Sequence, residues 1–299
     1  MPQLSCEAIL LRAVDFGESD RIAHLLTPEV GRLTVIAKGA RRSVRRFPGT
    51  LDVFNHLRVT VRRRPRGGLA WLEQAVLRSA FLPLRERVGR YALASYLVEI
   101  LDRMAPESGS RLDAARLFAF ALAALRMIEA SEPDRRLRLL VELRAFDALG
   151  LRPELSRCVR CGRPPGERAR FLVADGGVVC DAHSSEPGAS PLPVHLGTLR
   201  ALEQALDCDW SHLDRLRLGP DALAEAERLL FRFHRFHLGV ELRSERFLDE
   251  VLRGGRLTPP TARVDTPPPR GLRGEASRER SASPPEPVPS EAPGCRAGH

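Results

Sequence analysis

Between residues 4 and 80, apolar positions alternate with polar ones or run together in short stretches rich in Val, Ile, Leu and Thr, separated by turn-forming residues. Such segments predict β-strands. The spacing places strands near 6–12, 21–26, 33–37, 53–62 and 69–77, with turns at 15–20, 27–31, 39–49 and 63–68. Five strands in so short a stretch predict a small closed or nearly closed barrel, and five is the strand number of an OB-fold. From Pro83 the period changes: Val88, Tyr91, Ser95, Val98 and Leu101 recur every three or four residues, and Pro83 suits a first helical turn. Further helices are predicted at 111–130, unusually apolar and therefore central, and at 134–149. Gly, Pro and three clustered cysteines interrupt the pattern at 156–184, and helical spacing resumes at 196–206, 221–238 and 244–252.

The expected architecture is thus α+β and multidomain. A barrel occupies 1–80, an all-α domain with a 156–184 insertion occupies 81–253, and 254–299 form a tail. Beyond Gly254 the chain carries ten prolines, many Ser and Arg, and no aromatic residue. That composition cannot offset its ordering entropy, so the tail is expected to be disordered. The longest uncharged apolar run, 117–125, is far short of the ~20 residues that span a bilayer. No basic segment precedes an apolar one at the N-terminus, so a soluble cytoplasmic protein is expected.

Charge sharpens the picture. The 299 residues carry a formal net charge of +9, and residues 1–80 hold 14 basic and 7 acidic side chains, +7 of that total. Only one of the 47 basic residues, Lys38, is lysine. That bias reads as genomic, so arginine counts are discounted and the uneven distribution is what matters. Lys38, Arg41, Arg42, Arg45 and Arg46 fall within nine residues, with no acid between Glu29 and Asp52. Arg62, Arg63, Arg64 and Arg66 form a second cluster, closed by Gly67 and Gly68. Phe47 and Phe54 are available for base stacking beside the first loop, the pairing expected of single-strand binding. Two basic loops on one small barrel favour nucleic acid over a solvated edge.

Cys158-x2-Cys161, eighteen residues, then Cys180-x2-His183 is the sharpest chemical signal. Two close pairs on tight turns, with Gly162 assisting the first, converge on a tetrahedral ion, and zinc prefers such donors. Four protein ligands leave no position for water, so one structural zinc per chain is expected. His195 is the alternative fourth ligand, and free cysteines in a loop the bland alternative. His234, His237 and Glu241 lie at helical spacing, but with Phe231, Phe233 and Phe236 beside them they read as core packing. No phosphate-binding glycine loop, dinucleotide fingerprint, zinc-protease or nucleophile-elbow motif occurs, so no enzymatic activity is expected.

The run from Glu7 to Arg12, then Gly17-Glu-Ser-Asp-Arg21, Leu25-Leu-Thr27, Gly31 and Lys38-Gly-Ala-Arg-Arg42 resembles the RecO family of bacterial DNA repair proteins. Phe236-His-Leu-Gly239, Leu242-Arg-Ser244 and Phe247-Leu248 are similar to the end of that family's helical domain, and the likeness covers residues 4–253. The resemblance implies an N-terminal OB-fold, a helical C-terminal domain and a zinc-binding insertion, although many members use four cysteines where this chain has His183. It also implies a recombination mediator that acts without ATP. Such a protein binds single- and double-stranded DNA, anneals complementary strands and, with RecR, helps RecA replace single-strand-binding protein. The acidic tail of single-strand-binding protein would take an arginine-edged pocket of the helical domain, for which Arg126, Arg135 and Arg138 are candidates. Two other classes compete: a zinc-containing OB-fold module for RNA, which charge alone allows equally, and a zinc-dependent hydrolase, which the four-ligand spacing disfavours.

Overall fold

The computed structural model describes residues 3–43, 45–62, 68–184, 191–239 and 241–254. The tail 255–299 and the arginines Arg63, Arg64 and Arg66 lie outside the described residues. The first strands are β1 (Gln3–Phe16), β2 (Asp20–Thr27), β3 (Gly31–Ala37), β4 (His56–Arg62) and β5 (Ala70–Ser79). They close into a barrel in the order β1-β2-β3-β5-β4, with β3 and β5 parallel and β1 pairing back onto β4. Alternation dictates the packing. Cys6, Ala8, Leu10, Ala23, Leu25, Val35, Leu57, Val59, Ala70 and Leu72 point inward and fill the lumen. A β-bulge between Leu10 and Arg12 shifts the phase of β1, so that Ala13 faces in while Val14 and Phe16 face out.

Strand β4 begins three residues later than the periodicity predicts. Phe54 adopts φ +76° and its amide donates to Leu10 O at 2.9 Å, so the chain turns there instead of extending. Both phenylalanines expected to stack bases are core residues. Phe47 (4% exposed) plugs the barrel with Leu51, and Phe54 (0%) packs edge-on against Tyr91 at 5.5 Å.

A four-residue turn, α1 (Pro83–Glu86), precedes the first long helix and is not continuous with it, because Arg87 is extended. Arg85 holds this turn to the β3–β4 connection, donating to Val53 O at 2.8 Å and Asn55 Oδ1 at 2.9 Å. Helices α2 (Val88–Met104), α3 (Arg111–Ala130) and α4 (Arg135–Ala148) follow. Ser110 and Asp134 cap α3 and α4 by accepting the Asp113 and Leu137 amides at 3.1 and 2.7 Å. One core joins barrel and helices: Ile9, Leu11, Leu26 and Phe54 pack with Leu93, Leu97, Leu101, Leu117 and Ala121. At its edge Arg32 donates its amide to Pro106 O and its guanidinium to Glu107 at 2.7 Å, and His24 meets the buried Asp102 at 2.5 Å. Gly31 (φ +78°) is required there, since a Cβ would stand 2.6 Å from Pro106 O.

A second sheet, ordered β7-β6-β8, comprises β6 (Arg168–Leu172), β7 (Gly177–Val179) and β8 (Leu192–His195). The sheet therefore continues past His183, with β8 covering the second edge of β6. Helices α5 (Leu196–Asp207), α6 (Pro220–Leu238) and α7 (Arg243–Leu252) complete the described chain. Phe171, Phe146 and Phe233 bind the second sheet to α4 and α6 through one apolar cluster. Of the three phenylalanines read as a packing surface only Phe233 is buried, whereas Phe231 and Phe236 are exposed. At 3.6 residues per turn Phe231 lies about 200° round the helix from Phe233, on the opposite face, whereas Phe236 lies about 60° from it, at the edge of the buried stripe.

Candidate nucleic-acid interface and metal centre

The β3–β4 connection carries the first basic cluster, and carboxylates from the β1–β2 hairpin reach part of it. Lys38 Nζ lies 2.8 Å from Asp20 Oδ2, and Asp20 Oδ1 accepts the Gly39 amide at 2.8 Å. The Lys38 ammonium and this amide hold the Asp20 carboxyl below its ordinary range. Arg41 donates its amide to Ser19 O at 3.0 Å and its guanidinium to Glu18 O at 3.2 Å, and lies 3.4 Å from Asp15. Lys38 and Arg41 are therefore partly neutralised and fix the loop on the hairpin. Arg42, Arg45 and Arg46 have no carboxylate partner among the described residues, and Arg46 instead donates to Lys38 O at 2.5 Å. Arg62 pairs with Glu73 at 2.7 Å and stacks over Trp71 at 4.7 Å. Sequence spacing shows five equivalent cations where space offers three with unbalanced charge.

Cys158, Cys161, Cys180 and His183 converge, each offering one ligand atom, with all four atoms within 4.8 Å of one another. The first pair sits on a turn closed by Gly162 N to Cys158 O at 2.7 Å, and the second on the 3-10 turn Asp181–His183, where His183 N donates to Cys180 O at 2.9 Å. Val159 N to Val178 O at 2.9 Å brings the first turn to β7. Gly177 is what permits this approach: a Cβ there would lie 2.4 Å from Val159 Cγ1 and 2.9 Å from Glu154 Cβ. The Cys161 and Cys180 sulfurs are 3.8 Å apart, and His183 Nδ1 lies 3.2 Å from Cys180 and 3.7 Å from Cys158. Tetrahedral zinc places sulfurs about 3.8 Å apart and nitrogen about 3.6 Å from sulfur, so this donor set fits. Burial pushes the Cys158 thiol up, but amides of Cys180, Arg160 and Cys161 aimed at it outweigh that and bring it down to about 6. His195 is not in the cluster. Its side chain is 86% exposed and contacts Glu225 at 2.9 Å.

His234 is buried between Glu142 at 3.0 Å and the Tyr96 hydroxyl at 3.1 Å, and Glu241 pairs with Arg235 instead. Arg135 and Arg138 line a cavity of about 580 Å³ with Phe231 and Leu252. Both are already paired, Arg135 with Glu227 and Arg138 with Asp249 and Glu245. Arg126 does not line this cavity. Its charge reaches His56, whose imidazole is held down chiefly by burial. Of the three arginines proposed from sequence, two are brought together and one is not.

These features define a small basic β-barrel fused through a common core to a helical domain that carries a closed Cys3His cluster. Residues 1–81 match the family model described as Recombination protein O N terminal, and residues 85–246 match Recombination protein O C terminal. The chain belongs to the RecO family. It is 37% identical over 253 residues to a DNA repair protein RecO of Anaeromyxobacter sp. strain K, covering 84% of this chain and 98% of that protein. The corresponding protein of Myxococcus xanthus is 36% identical over 254 residues, covering 84% and 99%. That of Syntrophus aciditrophicus is 32% identical over 252 residues, covering 83% and 96%.

Proposed function

We propose that this chain is a DNA repair and recombination mediator whose barrel is an OB-fold that holds DNA phosphates. The observation that carries the reading is the group Arg42, Arg45 and Arg46, which among the described residues have no carboxylate partner, in a loop pinned by Lys38 and Arg41. Two strands held on such a surface repel each other less, and base pairing then supplies the drive for annealing. No bond is made or broken, so the protein is not an enzyme. With RecR it helps RecA take over DNA coated with single-strand-binding protein, in the cytoplasm. The cavity at Arg135 and Arg138 is the candidate for the acidic tail of single-strand-binding protein, which would have to displace Glu227 or Asp249 from the arginines.

Cys158, Cys161, Cys180 and His183 would hold one structural zinc, which supplies a cross-link between the two turns and no reactive position. An RNA-binding role for the same barrel is the second reading, since phosphate contacts do not distinguish the polymers. Annealing of complementary strands precoated with single-strand-binding protein, run beside binding to matched DNA and RNA strands, tests both. Acceleration with tighter binding to DNA is the expected result. Tighter RNA binding without annealing would overturn it.

A further inference from the structure

Five of the six cysteines lie among the described residues, and the fold gives them very different access to solvent. Cys6 is sealed in the barrel lumen, where burial pushes its thiol up and keeps it protonated and inert. Cys208 is half-buried, with its sulfur 3.6 Å from Arg144 Nη2 and 3.9 Å from Ala205 O. Within the metal cluster the exposure is graded. Cys158 is buried (2%) against Leu172 and Val179, Cys180 is half-buried, and Cys161 is exposed. Cys161 and Cys180 belong to different turns, yet their sulfurs lie 3.8 Å apart. Gly162, directly after Cys161, has φ +73° and open space where a Cβ would stand, so the turn that carries Cys161 has room to shift. A thiol that holds a metal is deprotonated outright. A thiolate that is both accessible and next to a second cysteine is the arrangement that hydroperoxides oxidise reversibly.

We propose that Cys161 is a modification site for hydroperoxides and that Cys180 resolves it, so that oxidation opens the metal cluster. This rests on the four-ligand reading and adds to it a chemical sensitivity. With hydrogen peroxide, the Cys161 sulfur attacks one oxygen, the O–O bond breaks, hydroxide leaves and takes up a proton as water, and Cys161 is left as the sulfenic acid. The Cys180 sulfur then attacks the Cys161 sulfur, the S–O bond breaks, a second water leaves and the S–S bond forms. The two thiols lose two electrons and the peroxide gains them. Cys158 and His183 then remain, too few donors for a closed tetrahedral site. Cys158 is the poorer target because its sulfur is covered by the apolar cluster.

The test uses the full chain, purified without chelator. Hydrogen peroxide is expected to release about one zinc per chain to a chromogenic chelator, and dithiothreitol with added zinc to reverse the release. Peptide mass spectrometry should find Cys161 linked to Cys180, and dimedone present during the reaction should label Cys161. Cys161→His keeps a nitrogen donor and removes the attacking sulfur, so it should release zinc about tenfold more slowly. Peptide mapping of the unaltered chain decides the proposal even where this variant loses its metal. Zinc retained by the unaltered chain under peroxide overturns it. So does zinc released without the Cys161–Cys180 link, or dimedone on Cys158 or Cys208 with Cys161 untouched. A chain that holds no zinc from the start refutes the four-ligand reading instead, and the same mapping still decides whether Cys161 and Cys180 form the reactive pair.

Discussion

The cysteine cluster and the basic loop are both dense runs of one chemistry, yet the fold treats them in opposite ways. At the cluster, two pairs separated by 18 residues close to within 4.8 Å, and every member has the same destination. At the loop, five neighbouring cations are sorted: Asp20 and Asp15 take Lys38 and Arg41, and Arg42, Arg45 and Arg46 are left without a carboxylate among the described residues. Ligand spacing is a local property that survives folding. Charge density is not, because the carboxylates that cancel it arrive from another strand.

The largest expected effect lies at the cluster. Cys161→Ser should abolish metal retention, read by elemental analysis as a fall from about one zinc per chain to none, and expose the β6 amides to hydrogen exchange, since closed sites couple metal binding to folding. DNA affinity should persist, because the loop shares no residue with the cluster. Wild-type protein purified without chelator and lacking zinc would refute the four-ligand assignment. Next comes Gly177→Ala, which forces Cβ into Val159 and Glu154 and should cost about 1–3 kcal/mol in chemical denaturation of this region. A neutral outcome would mean that the first turn approaches β7 less closely.

The loop sharpens the contrast from the other side. Alanine at Arg42, Arg45 and Arg46 together should reduce the slope of log K against log salt by about 2, at ~0.7–0.9 per lost phosphate contact. Alanine at Lys38 and Arg41 should reduce it by less than one and loosen the loop, and equal slopes in the two variants would erase the sorting described above. The pH dependence has a definite sign. Lys38 and the Gly39 amide depress the Asp20 carboxyl, so its tether is complete above the ordinary aspartate value of 3.8 and is lost as pH falls through the lowered value. The Gly39 amide shift followed by NMR should be flat from pH 8 to 5, and a midpoint above 3.8 would contradict the pairing. The smallest effect is expected on truncation after Arg253. The removed segment carries only +2, so annealing at physiological salt should stay within about twofold of the full chain.

Much of this was legible in the residues themselves. Period-two alternation in 4–80 and the later helical spacing fix which segments are strands and helices, because each must bury one face. The four members of the Cys/His cluster are legible for a related reason: turn geometry is set by the residues of the turn. What the tertiary structure decided is where faces meet. Phe47 and Phe54 look like exposed aromatics beside arginines, but the barrel end and the shared core needed filling and took them. Phe16 has no distinguishing local signal. It is exposed because the bulge after Leu10 reversed the phase of β1 and turned it away from the lumen. The choice of His183 over His195, and of Arg135 and Arg138 without Arg126, was made in the same way. Local geometry follows from neighbouring residues, whereas burial and charge balance depend on atoms brought from distant parts of the chain, and no spacing along the sequence encodes which ones arrive.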